Sequence, residues 1–120
     1  MQKTYVLDTN VLTQAPYALE SFEDNHIVLP LVVLKELDRL KGAEGEQGGN
    51  ARQVIRFLEG LRLRGSLVDG VPLAGGGTLR LEVNHVDVPL PRGLSPYSRE
   101  GRILKVCRGL LEEGIPAVLV

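Results

Sequence analysis

Three acidic positions have the spacing and neighbours to do chemistry. Asp8 follows the short apolar run Tyr5-Val6-Leu7. A carboxylate at the carboxyl end of a buried strand points into the crevice where α/β proteins bind ligands. Aspartate is also a good helix N-cap, which alone would account for it. The sequence leaves both readings open. Thr9 and Asn10 add a hydroxyl and an amide that could orient Asp8 or meet phosphate oxygens. Glu36 stands between Leu34 and Leu37, at the edge of an apolar helical stripe bracketed by Val33, Leu37 and Leu40. A carboxylate inside that stripe needs a partner or a metal, whereas one at its edge is an ordinary solvated residue. Asp38 lies about 200° further around the helix, so it is expected to pair with a base or cap a neighbour. Glu100 precedes Gly101-Arg102 at the start of the last helical pattern. It suits the helix dipole there and could reach the same crevice as Asp8.

Separated carboxylates with no His or Cys beside them favour a hard cation held by oxygen, Mg²⁺ or Mn²⁺ before Zn²⁺. Such a cluster serves phosphoryl chemistry. Other chemistries find little support. The single cysteine, Cys107, excludes an internal disulfide framework and a multi-cysteine zinc site,. It lies on an apolar helix face and is expected to be inert. His26 and His85 lack spaced metal-ligand partners and are expected at the surface. Gly75-Gly76-Gly77 has no Lys-Ser/Thr after it, so it is not a phosphate-binding P-loop,. Fourteen Lys and Arg against fifteen Asp and Glu give a net charge of −1, which excludes a strongly basic nucleic-acid coat but not a local basic patch. Arg52 and Arg56 share one face of a helix and could contact phosphates, although a solvated face explains them too.

The elements that must position these residues alternate between strand and helix. Tyr5–Leu7 and Ile27–Leu29 read as buried strands,. Short helical pieces are expected around Pro16. Pro30 suits the first position of a helix running to Lys41,. Gly42–Gly49 reads as a glycine-rich loop, and Asn50 with Gln53 as a capping box opening the next helix,. Ser66–Leu73 is expected to form a short strand pair or an irregular segment. Thr78–Asn84 alternates as a half-exposed strand with Arg80 and Glu82 on its polar side,. After a proline-rich loop, Ile103–Leu111 is strongly amphipathic, with Ser98 as a candidate cap and Gly114 as the stop,. Ala117–Val120 reads as a buried strand. The 120 residues, 43% hydrophobic, suit one α/β domain with a mostly parallel sheet,. A strand ending with no polar residue after it suggests a chain truncated just before a functional position. Its apolar edge would favour self-association into a homo-oligomer. No segment is apolar enough to span a membrane and no signal region opens the chain, so a cytoplasmic location is expected.

The opening Tyr5-Val6-Leu7-Asp8-Thr9-Asn10-Val11-Leu12 resembles that of a PIN domain, a Mg²⁺/Mn²⁺-dependent ribonuclease fold. Ser21-Phe22-Glu23-Asp24-Asn25 and Val28-Leu29-Pro30-Leu31-Val32-Val33-Leu34-Lys35-Glu36-Leu37-Asp38 resemble the N-terminal PIN domain of PhoH-type ATPases. Asn50-Ala51-Arg52 and Gly101-Arg102-Ile103-Leu104 extend that likeness over nearly the whole chain. The resemblance implies a three-layer, Rossmann-like PIN fold over residues 1–120. It implies metal ligation by Asp8, Glu36 and Glu100, the last a glutamate where the family usually has an aspartate. It places a fourth acid beyond Val120 and an ATPase domain further on.

The function so implied is an endoribonuclease module. Asp8, Glu36 and Glu100 would bind Mg²⁺ or Mn²⁺, and a metal-activated water would attack an RNA phosphodiester in line. Thr9 and Asn10 would position acids or substrate, and Arg52, Arg102 and Lys35 would guide the RNA backbone. The rival is a catalytically weak or inactive RNA-binding or docking module, which Glu100 and the missing fourth acid favour. A small nucleotide-binding domain is weaker, because no glycine-rich loop follows the first strand.

Overall fold

A computed structural model describes residues 2–22, 24–83, 89–90, 92–95 and 97–120. His85 lies outside the described residues, as does the end of the Thr78–Asn84 pattern. The chain runs β1 (Thr4–Val6), α1 (Thr9–Gln14), α2 (Ala18–Ser21), β2 (His26–Pro30), α3 (Leu31–Leu40), α4 (Gly45–Arg62), β3 (Val71–Pro72), β4 (Thr78–Glu82), α5 (Arg99–Glu112) and β5 (Ala117–Leu119). The sheet order is β3-β4-β2-β1-β5, parallel throughout except for β3, which runs antiparallel to β4. This is the mostly parallel α/β architecture that the strand–helix alternation predicts.

The sheet order fixes where a ligand can sit. From β1 the chain steps one way to β2 and then β4, while β5 returns to the other side of β1. Strand order therefore reverses at β1, and the crevice at such a reversal opens at the carboxyl ends of the strands. Backbone pairing runs right up to that edge. Leu7 N donates to Val28 O at 3.3 Å and Asp8 N to Val120 O at 3.1 Å. Asp8 is thus pinned between β1 and β5 by its own main chain.

The core beneath this edge is aliphatic. Val6, Leu7, Ile27, Leu29, Val33, Leu37, Val54, Leu79 and Leu110 are fully buried. β1 and β2 are apolar on both faces, as strands covered by helices must be. Pro30, in extended conformation, hands β2 directly to α3, and Val33 and Leu37 turn one face of α3 inward. Glu36, just before Leu37 and at the edge of that face, meets Thr9 and Arg99.

Five local expectations are corrected. Gly45–Gly49 is not loop but the opening of α4. A Cβ on Gly48 would stand 1.9 Å from the carbonyl oxygen of Ala43, so only glycine allows that approach. Arg52 braces the junction by donating to the carbonyls of Lys41 at 2.7 Å and Ala43 at 3.2 Å. Asn50 accordingly lies inside α4 and caps nothing; its Nδ2 donates to Thr13 O at 2.6 Å and ties α4 to α1. β5 is an edge strand with Val118 and Leu119 about half exposed, because among the described residues only β1 pairs with it. His26 is half-buried and its Nδ1 meets Thr78 Oγ1 at 2.8 Å. Glu82, expected on the polar side of β4, is buried and paired with Arg80 at 2.9 Å.

Candidate active site

The residues at the carboxyl edge of β1 come from three elements. Asp8 caps α1: its Oδ1 accepts from Thr9 N at 2.6 Å. The capping reading of Asp8 therefore holds, and the same oxygen also faces the crevice, where it accepts from Arg99 Nη2. Glu36 comes from α3. Its Oε1 accepts from the Thr9 hydroxyl at 2.7 Å, and Thr9 itself is buried. Arg99, the first residue of α5, completes the group. Its Nε donates to Glu36 Oε2 at 2.8 Å and Oε1 at 3.0 Å.

One guanidinium thus joins carboxylates 28 positions apart in sequence, its Nε shared between the two oxygens of Glu36 and its Nη2 on Asp8,. The side chains of Asp8, Glu36 and Arg99 are 23, 18 and 27% exposed, so the cluster is mostly shielded from water. Burial pushes the Glu36 carboxyl upward. Hydrogen bonds from Arg99 and Thr9, with the charges of Arg99 and Arg39, outweigh that and hold it below the ordinary glutamate value. Arg99 is in turn held more firmly protonated, first by its bond to Glu36 and then by Asp8.

Glu100 sits beside this cluster rather than in it. Its side chain is 71% exposed and its Oε1 lies 3.6 Å from Arg99 Nη1. All three acids singled out in the sequence therefore surround one guanidinium, two in direct contact and one at the rim. Among the described residues, no three acidic, histidine or cysteine side chains stand close enough to share an ion as they are placed. Asn10 is exposed. Asp38 pairs with Lys41 at 2.7 Å, as its helix position suggests. Sequence reasoning missed Arg99. A signal was present: a cation in the first turn of a helix opposes the helix dipole, so Arg99 has to find its stabilisation elsewhere.

A cleft of about 330 Å³ opens between α3 and α5 at the carboxyl ends of β2 and β4, and Asp8, Glu36 and Glu100 do not line it. Pro30, Leu31 and Val106 give it apolar walls, and Lys35, Arg102 and Tyr97 stand around it. Tyr97 is 80% exposed, with Lys105 Nζ 6.0 Å from its ring centroid. Lys35 and Arg102 thus stand together on this cleft. Arg52 instead serves the α3–α4 junction.

A mostly parallel α/β sheet with two carboxylates gathered at its switch point defines an α/β domain with a candidate site at one sheet edge. The chain belongs to the PIN domain family, whose pattern matches residues 5–120. PIN domains are in general nucleases that use divalent metal ions. Among curated proteins the chain is similar to Protein PhoH2 of Bacillus subtilis, 46% identical over 127 residues, covering 100% of this chain and 29% of that protein. It is 44% identical to Protein PhoH2 of Thermobispora bispora over 98% of this chain and 27% of that protein. Protein PhoH2 of Mycolicibacterium smegmatis is 43% identical, over 98% of this chain and 28% of its own length. The chain therefore spans less than a third of the length of these relatives. No helix among the described residues is long and apolar enough to cross a membrane.

Proposed function

We propose that this domain is a Mg²⁺- or Mn²⁺-dependent endoribonuclease module that works beside a C-terminal ATPase domain in a longer protein. The observation that carries this reading is the convergence of Asp8 and Glu36, from different elements, on a single positive group at the carboxyl edge of β1. The donor chemistry fits a hard divalent ion, since both are carboxylates. Asp8 and Glu36 would hold it, with Glu100 as the third acid. A divalent ion bound there polarises a phosphodiester and makes an attacking water more acidic.

The chain's own groups do the remaining work. Thr9 fixes one oxygen of Glu36, so that the carboxylate stays aimed without a metal. The capping bond from Thr9 N fixes Asp8. Lys35 and Arg102 would guide the RNA backbone along the cleft, and Tyr97 would offer a face on which a base can stack,. Arg52 is already engaged with two carbonyls, which argues against a substrate role for it. The test is cleavage of a labelled RNA with Mn²⁺, with chelator, and with the Asp8→Asn variant. Cleavage only by the wild type with metal supports the proposal; undiminished cleavage by Asp8→Asn contradicts it. A second reading, a catalytically weak RNA-docking module, is favoured by the exposure of Glu100. It predicts RNA binding without metal-dependent cleavage.

A further inference from the structure

We infer that Arg99 is an internal counter-cation that a divalent ion must displace from Asp8 and Glu36, so that this side chain sets the metal affinity of the site. The inference rests on the metal-dependent reading proposed above. The guanidinium uses the same acceptors that a metal would need. Arg99 Nε donates to both oxygens of Glu36, and Nη2 donates to Oδ1 of Asp8. Glu36 Oε1 and Asp8 Oδ1 already accept one further hydrogen bond each from Thr9. A guanidinium and a divalent ion compete for these oxygens, because two cations close to the same atoms repel strongly in a partly desolvated site.

Without a positive partner the two carboxylates would face each other across shielded space. The Thr9 donors relieve part of that strain but bring no charge. Arg39 acts on Glu36 only through its charge. Arg99 is therefore the group that makes the metal-free crevice stable, and it reaches there despite its unfavourable place in the first turn of α5,. The cost of its release is subtracted from metal binding.

The sign of this effect separates it from an ordinary supporting role. A residue that merely shapes the site weakens metal binding when removed; a competitor strengthens it. Hydrogen bonds to charged groups of this kind correspond to about ten- to a hundredfold in an equilibrium constant. Mn²⁺ would be titrated calorimetrically into metal-free wild type, Arg99→Gln, Arg99→Met and Arg99→Lys chains. Arg99→Gln and Arg99→Met should bind Mn²⁺ about tenfold or more tighter than wild type, with Arg99→Lys in between. Metal-free Arg99→Met should also melt at a lower temperature than wild type and gain more from added Mn²⁺. Arg99→Gln keeps hydrogen-bonding capacity and guards against Arg99→Met failing to fold. If wild type binds and Arg99→Gln and Arg99→Met bind no tighter, the inference falls while the metal site stands. If neither wild type nor any Arg99 variant takes up Mn²⁺, the metal-dependent reading falls with it.

Discussion

Replacing Thr9 with valine tests how the acids are held before any ligand arrives. Thr9 is buried, its Oγ1 lies 2.7 Å from Glu36 Oε1, and the Glu36 side chain is 18% exposed. Valine keeps the branched shape and removes the donor. A hydrogen bond to a charged group is worth about 1.5–3 kcal/mol, and Arg99 still serves the same oxygen, so a loss near about 1.5 kcal/mol is expected. For a domain of this size that is a fall of about 6 °C in Tm at neutral pH. The loss must also depend on pH. Glu36 is held below its ordinary value in the folded chain. The stability it contributes is present above the unfolded carboxyl pKa and disappears as pH falls through the lowered folded value. Thr9→Val removes one cause of the lowering. The gap between wild type and variant should therefore be widest at pH 7 and narrow as pH drops below about 4. Urea denaturation across that range measures it. A variant as stable as wild type at pH 7, or a gap that does not change with pH, would refute the reasoning.

Three further outcomes follow from the packing around the site. Gly48→Ala places a methyl 1.9 Å from the Ala43 carbonyl oxygen and should cost at least about 1–3 kcal/mol, read as a lower Tm. Ser98→Ala removes the cap that accepts from Gly101 N at 2.9 Å and should cost about 1 kcal/mol; an unchanged Tm would argue against it. Tyr97→Ala should weaken binding of a single-stranded RNA in chelator by about fivefold or more, measured by fluorescence anisotropy, and unchanged binding would remove Tyr97 from the proposed substrate path.

Much of the framework was legible because local patterns and tertiary needs agree. Tyr5–Leu7 and Ile27–Leu29 are apolar on both faces and form buried parallel strands, and Pro30 opens α3 where a proline is tolerated. Ser98 caps α5, and Gly114, with φ of 80°, follows its end. The misreadings fall where tertiary contact overrides propensity. Gly45, Gly48 and Gly49 are poor helix formers, yet close approach to Ala43 and the brace from Arg52 carry α4 through them. Asn50 has cap chemistry but spends it on a carbonyl of α1. In the candidate site, strand end and helix face singled out Asp8 and Glu36 but left their roles open, and only the resemblance to PIN domains implied that they meet. The bridging role of Arg99 was not, because it depends on how α5 crosses the carboxyl edge of β1, and no local periodicity encodes that.

The central claim is that Asp8 and Glu36 together hold one divalent cation. Calorimetric titration of Mn²⁺ into wild type, Asp8→Asn and Glu36→Gln, each shown to be folded by circular dichroism, tests it most directly. Wild type should give a binding isotherm, and each variant should bind at least about tenfold more weakly. Equal Mn²⁺ affinity in all three would contradict it.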